Sequence, residues 1–307
     1  MDMMLEQQAQ ATIDRGSKSF AAAARLFEPG TRRDVMLLYT WCRHCDDVTD
    51  GQEFGRGALQ TATLEALERL RADSLAALSS APSSSLPYRA LAEVAARHPI
   101  SPELVDAHIK GFELDVEGWQ PDTLDDTLRY SYHVAGSVGI MMALIMGVRD
   151  QNTLNRACDL GLAFQLTNIA RDVAEDALAG RCYLPAQWLG EAGLEVSDLS
   201  DDSDSEKVFP LVCRLVEQAE SYYRSASVGI RALPRRAAWA IATARAIYRD
   251  IGRKIVRRGP EALGDRVYTG KGRKIWRTTT SIPAALATRR TADGSSRAGL
   301  WTPPAIF

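Results

Sequence analysis

Two short acidic stretches carry the densest chemistry in this 307-residue sequence. Arg43-His44-Cys45-Asp46-Asp47-Val48-Thr49-Asp50 sets Asp46 and Asp50 four residues apart, and Asn168, Asp172 and Asp176 repeat that spacing within Gln165–Asp176. On a helix, such residues stand one turn apart on one face, so each stretch presents a stripe of oxygen ligands. Like charges so placed repel. A single pair reads as a solvated face, but two stripes, each in apolar helix and each beside an arginine (Arg43, Arg171), point to something cationic between the carboxylates. Oxygen ligands that leave room for water and phosphate suit Mg²⁺, with Mn²⁺ as the alternative. Arginine forks suit the oxygens of a diphosphate.

Positioning such stripes takes long helices, and the rest of the sequence supplies them. Alanine is abundant, apolar residues recur three and four apart (Val35, Leu38, Tyr39, Cys42; Leu160, Phe164, Thr167), and no segment alternates as a strand would. Breakers at Pro29-Gly30, Ser79–Pro87, His98-Pro99, Gly118–Pro121, Gly147–Asn152, Gly180–Pro185 and Gly259-Pro260 divide the chain into helical blocks. The expected class is all-α over 1–288. Asp198–Glu206 reads as a solvated loop, and 289–307 lacks periodicity and is expected to be a flexible tail. The longest apolar run, Val134–Val148, falls short of the roughly 20 residues that span a bilayer, so it reads as a buried core helix.

Composition excludes several classes. With 37 Lys and Arg against 39 Asp and Glu, the net charge is −2, too little positive charge for a dedicated nucleic-acid binder. Five scattered cysteines and an N-terminus without a basic and apolar leader predict a reduced, cytoplasmic protein. Cys42-x-x-Cys45 has no second ligand pair at metal spacing and is not read as a zinc or redox site. The four histidines form no cluster, and His133 receives no catalytic role. A basic stretch from Arg253 to Lys274 is either a solvated surface or, in part, a surface for diphosphate and anionic lipid.

In their order and spacing, the two Asp-x-x-x-Asp motifs, Ser17-Lys18-Ser19-Phe20, the run Tyr39–Asp47, the run Tyr130–Gly136 and Arg181-Cys182-Tyr183-Leu184-Pro185 resemble the squalene/phytoene synthase family. The resemblance covers about residues 10 to 270 and lies nearest the family's bacterial phytoene-forming members. It implies an all-α isoprenoid-synthase fold, a single helical bundle around a central apolar cavity, and a head-to-head (1′-1) condensation of two geranylgeranyl diphosphates, through prephytoene diphosphate, to phytoene. Carried over by motif, Asp46 and Asp50 hold metal at one diphosphate, and Asn168, Asp172 and Asp176 hold it at the other. Ser19, Arg43, Arg171, Tyr248 and Arg266 contact diphosphate oxygens. Tyr39, Tyr130, Val134, Gln165 and Tyr183 line the reacting centre, with Tyr39 and Tyr130 counted among the catalytic residues.

Chemistry agrees with that implication. Ionising an allylic diphosphate leaves a carbocation that water would quench, so the cation needs a dry apolar chamber while metal and arginine hold the leaving group. Tyr39, Tyr130 and Tyr183 could stabilise the cation through their ring faces, or be ordinary packed tyrosines. Two rivals stand beside this reading: a synthase using farnesyl diphosphate, giving squalene with NADPH or dehydrosqualene without it, and an inactive scaffold. No NADPH is expected, the protein is expected to contact the inner face of the membrane reversibly, and its oligomeric state is left open.

Overall fold

The breakers fall between helices, as their backbone chemistry requires. The structure, a computed structural model, describes residues 3–16, 21, 23–50, 63–79, 84–264, 278, 281 and 297–305. Its helices are α1 (Met3–Gly16), α2 (Pro29–Asp50), α3 (Leu64–Leu78), α4 (Leu86–Ala95), α5 (Pro102–Val116) and α6 (Leu124–Ser131). A π-helical turn, Tyr132–Gly136, leads into α7 (Ser137–Ile145), followed by α8 (Gln151–Leu178), α9 (Ala186–Ala192), α10 (Ser205–Gly229) and α11 (Arg235–Arg258). No strand occurs among the described residues.

Local sequence sets the ends. Asp150 caps α8 by accepting a hydrogen bond from the Thr153 amide at 2.9 Å, and Thr123 and Asp126 form a reciprocal capping box at the start of α6. Gly180, at φ +74°, lets the chain reverse after α8 in a left-handed turn closed to other residues without strain. The Arg181 amide then donates to the Asp176 carbonyl at 2.8 Å, which brings Arg181–Tyr183 back beside the acidic end of α8.

Helix α8 is the spine of the bundle. It packs most extensively against α10 and also against α7, the π turn and α11, while α2 packs on α1 and α4. Glycines permit the closest of these contacts. A Cβ on Gly161 would collide with the Ala135 carbonyl, and one on Gly139 would approach the Ala157 carbonyl to 2.5 Å. The apolar run Val134–Val148 is buried as expected, though its first residues take π rather than α geometry.

Two expectations change. Asp198–Glu206 is not an open loop: two 3₁₀ turns, Val196–Ser200 and Asp202–Asp204, run directly into α10, with Leu199 buried beneath them. Of the tail expected to be flexible, residues 297–305 dock on the bundle, because Arg297 reaches the fully buried carboxylate of Asp159 with Nε–Oδ2 at 2.8 Å and Nη2–Oδ1 at 2.9 Å.

Candidate active site

One cavity of about 1050 Å³ runs along α8 between α2, α5, the π turn, α7, α10 and α11. Asp46, Arg43, Tyr39, Tyr130, Val134, Gln165, Asn168, Arg171, Asp172, Asp176, Tyr183 and Tyr248 all line it. The expected side chains that the structure describes therefore converge on one space. Asp50 is the last residue of α2, and its side chain, like Ser19 and Arg266, lies outside the described residues.

The first acidic segment is gripped by its own helix. Arg43 Nη1 meets Asp46 Oδ2 at 2.7 Å, and its Nε donates to Asp47 Oδ1 at 2.9 Å. The second is gripped likewise: Arg171 Nε donates to Asp172 Oδ1 at 2.7 Å, and its Nη2 contacts the other oxygen. Asn168 donates weakly to Gln165 Oε1 at 3.4 Å. Asp176, one turn on, is pushed up to about 7. Burial is the largest cause and the Asp172 charge adds to it, while Arg181 opposes both.

No three His, Cys, Asp or Glu side chains among the described residues stand close enough to hold a metal alone. The donor set nonetheless fits a hard cation that takes the rest of its shell from water and substrate phosphate. Every candidate ligand is an oxygen group, and Asp172 and Asp176 stand near enough for one charge to hinder ionisation of the other. A divalent ion would relieve that repulsion.

Beyond the acids the wall becomes aromatic. Tyr130 and Tyr183 stack at 4.7 Å between ring centroids, with Trp119 on the far face of the stack at 5.9 Å. Both hydroxyls converge on Asp115 of α5: Tyr130 donates at 3.0 and 3.1 Å, Tyr183 at 2.7 Å. Burial holds both phenols well above the ordinary tyrosine range, so they remain neutral donors. Tyr248 stacks on Phe164 at 4.3 Å, and burial raises Tyr39 to about 12. Gly111 of α5 makes room for Val134, whose Cγ1 would stand 2.5 Å from a Cβ at that position.

Asp115 and Arg15 line the cavity and were not singled out from the sequence, and Arg181, quoted there only within a motif, lines it too. Asp115 carried a readable signal, since it follows His108 and Phe112 at i+7 and i+3 on one face of α5, and all three face the cavity. Cys42 also lines the cavity, and burial raises its thiol, so it stays protonated. His108, lowered to about 4 by burial, is neutral.

The squalene/phytoene synthase profile matches residues 13–273. The chain belongs to that family. It is 48% identical to the phytoene synthase of Pseudescherichia vulneris, over 96% of this chain and 97% of the relative. Identity reaches 50% with the 15-cis-phytoene synthase of Enterobacter agglomerans, over 95% of this chain and all of the relative. Among solved structures, a dehydrosqualene synthase in complex with a ligand superposes with a TM-score of 0.82 at 27% identity, covering 91% of this chain and 96% of that one. The fold is thus the all-α fold of these synthases: the helical pattern predicted the class and the family resemblance the fold.

Proposed function

We infer that this protein is a prenyltransferase that condenses two geranylgeranyl diphosphates head to head, through prephytoene diphosphate, to phytoene in carotenoid biosynthesis, releasing two diphosphates. The observation that carries the reading is the cavity itself: Asp46, Asn168, Asp172 and Asp176 with Arg43 and Arg171 line the same space as an otherwise largely apolar wall along α8. Relatives at 48–50% identity over nearly the whole chain, named phytoene synthases, favour the twenty-carbon substrate over the fifteen-carbon one.

Asp46 and Asp50 would serve one diphosphate and Asn168, Asp172 and Asp176 the other, and these side chains would hold Mg²⁺ or Mn²⁺ there. That ion supplies Lewis-acid stabilisation of the leaving group. In its absence Arg43 and Arg171 neutralise the carboxylates; with substrate present their forks turn to phosphate oxygens, joined by Ser19, Tyr248 and Arg266. The carbocation left behind meets no bulk water and faces Tyr39 and the Tyr130–Tyr183 stack. Asp115 fixes both hydroxyls of the stack, so these two rings cannot swing away from the reacting centre. Val134 and Gln165 complete the wall.

The product is a hydrocarbon and the substrates are amphiphilic, so the protein works against a membrane surface. No helix among the described residues is long and apolar enough to cross one. Contact therefore uses exposed groups, and Arg257 and Arg258, beside the exposed Val256 at the end of α11, supply charge and apolar area. Arg273 and Lys274 would extend that patch, but lie outside the described residues.

Incubation of purified protein with geranylgeranyl or farnesyl diphosphate and Mg²⁺, with and without NADPH, tests the assignment. Phytoene from the twenty-carbon substrate, lost on chelation and independent of NADPH, is the expected product. Turnover of farnesyl diphosphate alone would replace this reading with the fifteen-carbon one.

A further inference from the structure

Away from the acids, the cavity wall at Arg156 is backed by a chain of polar contacts that begins in the carboxy-terminal segment. Arg156 lines the cavity from α8, 16 residues before Asp172 and so about 24 Å along the helix from the second acidic stripe. It is 1% exposed and donates through Nη1 to Ser225 Oγ of α10 at 3.0 Å. Ser225 Oγ donates to Asp159 Oδ2 at 2.5 Å, and Asp159 takes the two-pronged contact from Arg297. Gly229, also in the cavity wall, packs against the stem of Arg156, where a Cβ would come within 2.7 Å.

A second line of contact leaves the same segment. Arg297 Nη2 donates to the Trp301 carbonyl at 2.9 Å, and the Trp301 amide donates to the Tyr222 hydroxyl at 3.2 Å. The Trp301 ring lies 5.4 Å from that of Tyr132, the first residue of the π turn. Val134 and Ala135 of that turn line the cavity. One short segment therefore touches the supports of two walls while touching no acidic stripe.

We propose that residues 297–305 form a clasp that fixes the buried end of the prenyl-tail tunnel, with Arg297 and Trp301 as positioning residues for selection of tail length. This rests on the functional reading above. A twenty-carbon tail anchored at the acidic end runs past Phe164, Gly161 and Ala157 towards Arg156, whereas a fifteen-carbon tail, shorter by one isoprene unit, ends before that wall. Loosening the clasp lets the wall shift, and only the longer tail senses it.

The test uses the full-length protein and unreactive thio-diphosphate analogues with twenty-carbon and fifteen-carbon tails, read as dissociation constants. Trp301→Ala removes the contact to Tyr132 and leaves the buried Arg297–Asp159 pair in place, so the variant is expected to fold. It should weaken the twenty-carbon analogue by about fivefold and the fifteen-carbon analogue by less than about twofold, with recovery in Trp301→Phe. Equal losses for both analogues, or unchanged affinities with only a lower melting temperature, would make the segment a structural fastening and overturn the proposal. Conversion of geranylgeranyl diphosphate by the unaltered protein is the control. Its absence would remove the functional reading, whereas its presence with unaltered length discrimination in Trp301→Ala would remove only the clasp.

Discussion

The two acidic segments look like repeats in sequence and differ in their surroundings. On α2 the Asp46 side chain is 44% exposed and shares Arg43 with Asp47. On α8 the Asp172 side chain is 15% exposed, Arg171 holds both its oxygens, and Asp176 beyond it is desolvated enough to be pushed up to about 7. The difference teaches that two like-spaced acidic segments can give Asp46 a wet setting and Asp172 and Asp176 a dry one. A charge in the dry site interacts more strongly with its neighbours than one in the wet site, because less water screens it. The dry site is therefore the more demanding partner for a metal ion.

The largest effect should come from breaking each stripe in turn. Asp172→Asn and Asp46→Asn should each reduce turnover by on the order of a thousandfold or more, in line with removing a group that stabilises developing charge. Neither should lower the melting temperature of the metal-free protein by much, since relief of repulsion offsets the lost arginine contact. Added Mg²⁺ should partly rescue Asp46→Asn at high concentration and Asp172→Asn less. Equal rescue, in a steady-state assay titrated with Mg²⁺, would erase the wet–dry distinction. Wild-type turnover in either variant would remove that carboxylate from the site.

Next in size is Asp115→Asn. It keeps the shape and an oxygen at the Oδ1 position that both hydroxyls reach, but removes the negative charge and puts an amide in place of the Oδ2 that Tyr130 also reaches, so the common anchor is weakened. Activity should fall by about ten- to a hundredfold, with a stability cost of about 1–3 kcal/mol for the disturbed buried hydrogen bonds. Parallel kinetics and thermal melts check both numbers. An unchanged rate would mean that the tyrosine stack is held by packing alone.

What the sequence disclosed, and what it withheld, follows the range of the interactions. The acidic stripes and their arginines were legible because the pairs are local: Arg43 meets Asp46 and Asp47 at i+3 and i+4, and Arg171 meets its immediate neighbour. The breakers were legible because proline and glycine act on their own backbone. The Asp115 triad was not, since its partners lie 15 and 68 residues away. The docking of 297–305 was hidden for the same reason: Arg297 finds Asp159 at a separation of 138 residues, and nothing in Arg-Ala-Gly-Leu-Trp has a period to betray it. Ser19 and Arg266, implied by the family resemblance, remain proposals.

A smaller effect isolates the dry site through pH. Asp176 is held at about 7 in the folded protein against an ordinary value of 3.8, so the folded state binds its proton more tightly than the unfolded state does. Its contribution to stability is full below pH 4 and is lost as pH rises through 7. Asp176→Asn removes that loss. Without metal, the variant should melt higher than the unaltered protein at pH 8, by an amount of order 2 kcal/mol or about 3 °C, and at the same temperature at pH 4. Thermal melts in EDTA at both pH values decide it, and a pH-independent difference would mean that Asp176 is not desolvated.

The smallest effect lies outside both sites and asks whether the carboxy-terminal end of α11 faces a membrane. Arg257 and Arg258 close α11 on an exposed surface that also presents Val256, which is 44% exposed. Near an anionic bilayer each arginine contributes about 1 kcal/mol, falling off within a Debye length of about 10 Å at 0.1 M salt. Replacing both with Gln should weaken binding to anionic vesicles at low salt by about thirtyfold in a co-sedimentation titration, leave binding to neutral vesicles unaltered, and leave turnover of detergent-dispersed substrate intact. If vesicle binding survives the double replacement, this end of α11 is a solvated face and the membrane contact lies elsewhere. If it disappears together with activity, these arginines serve the diphosphates, and the distinction between a catalytic end and a lipid-facing end does not hold at α11.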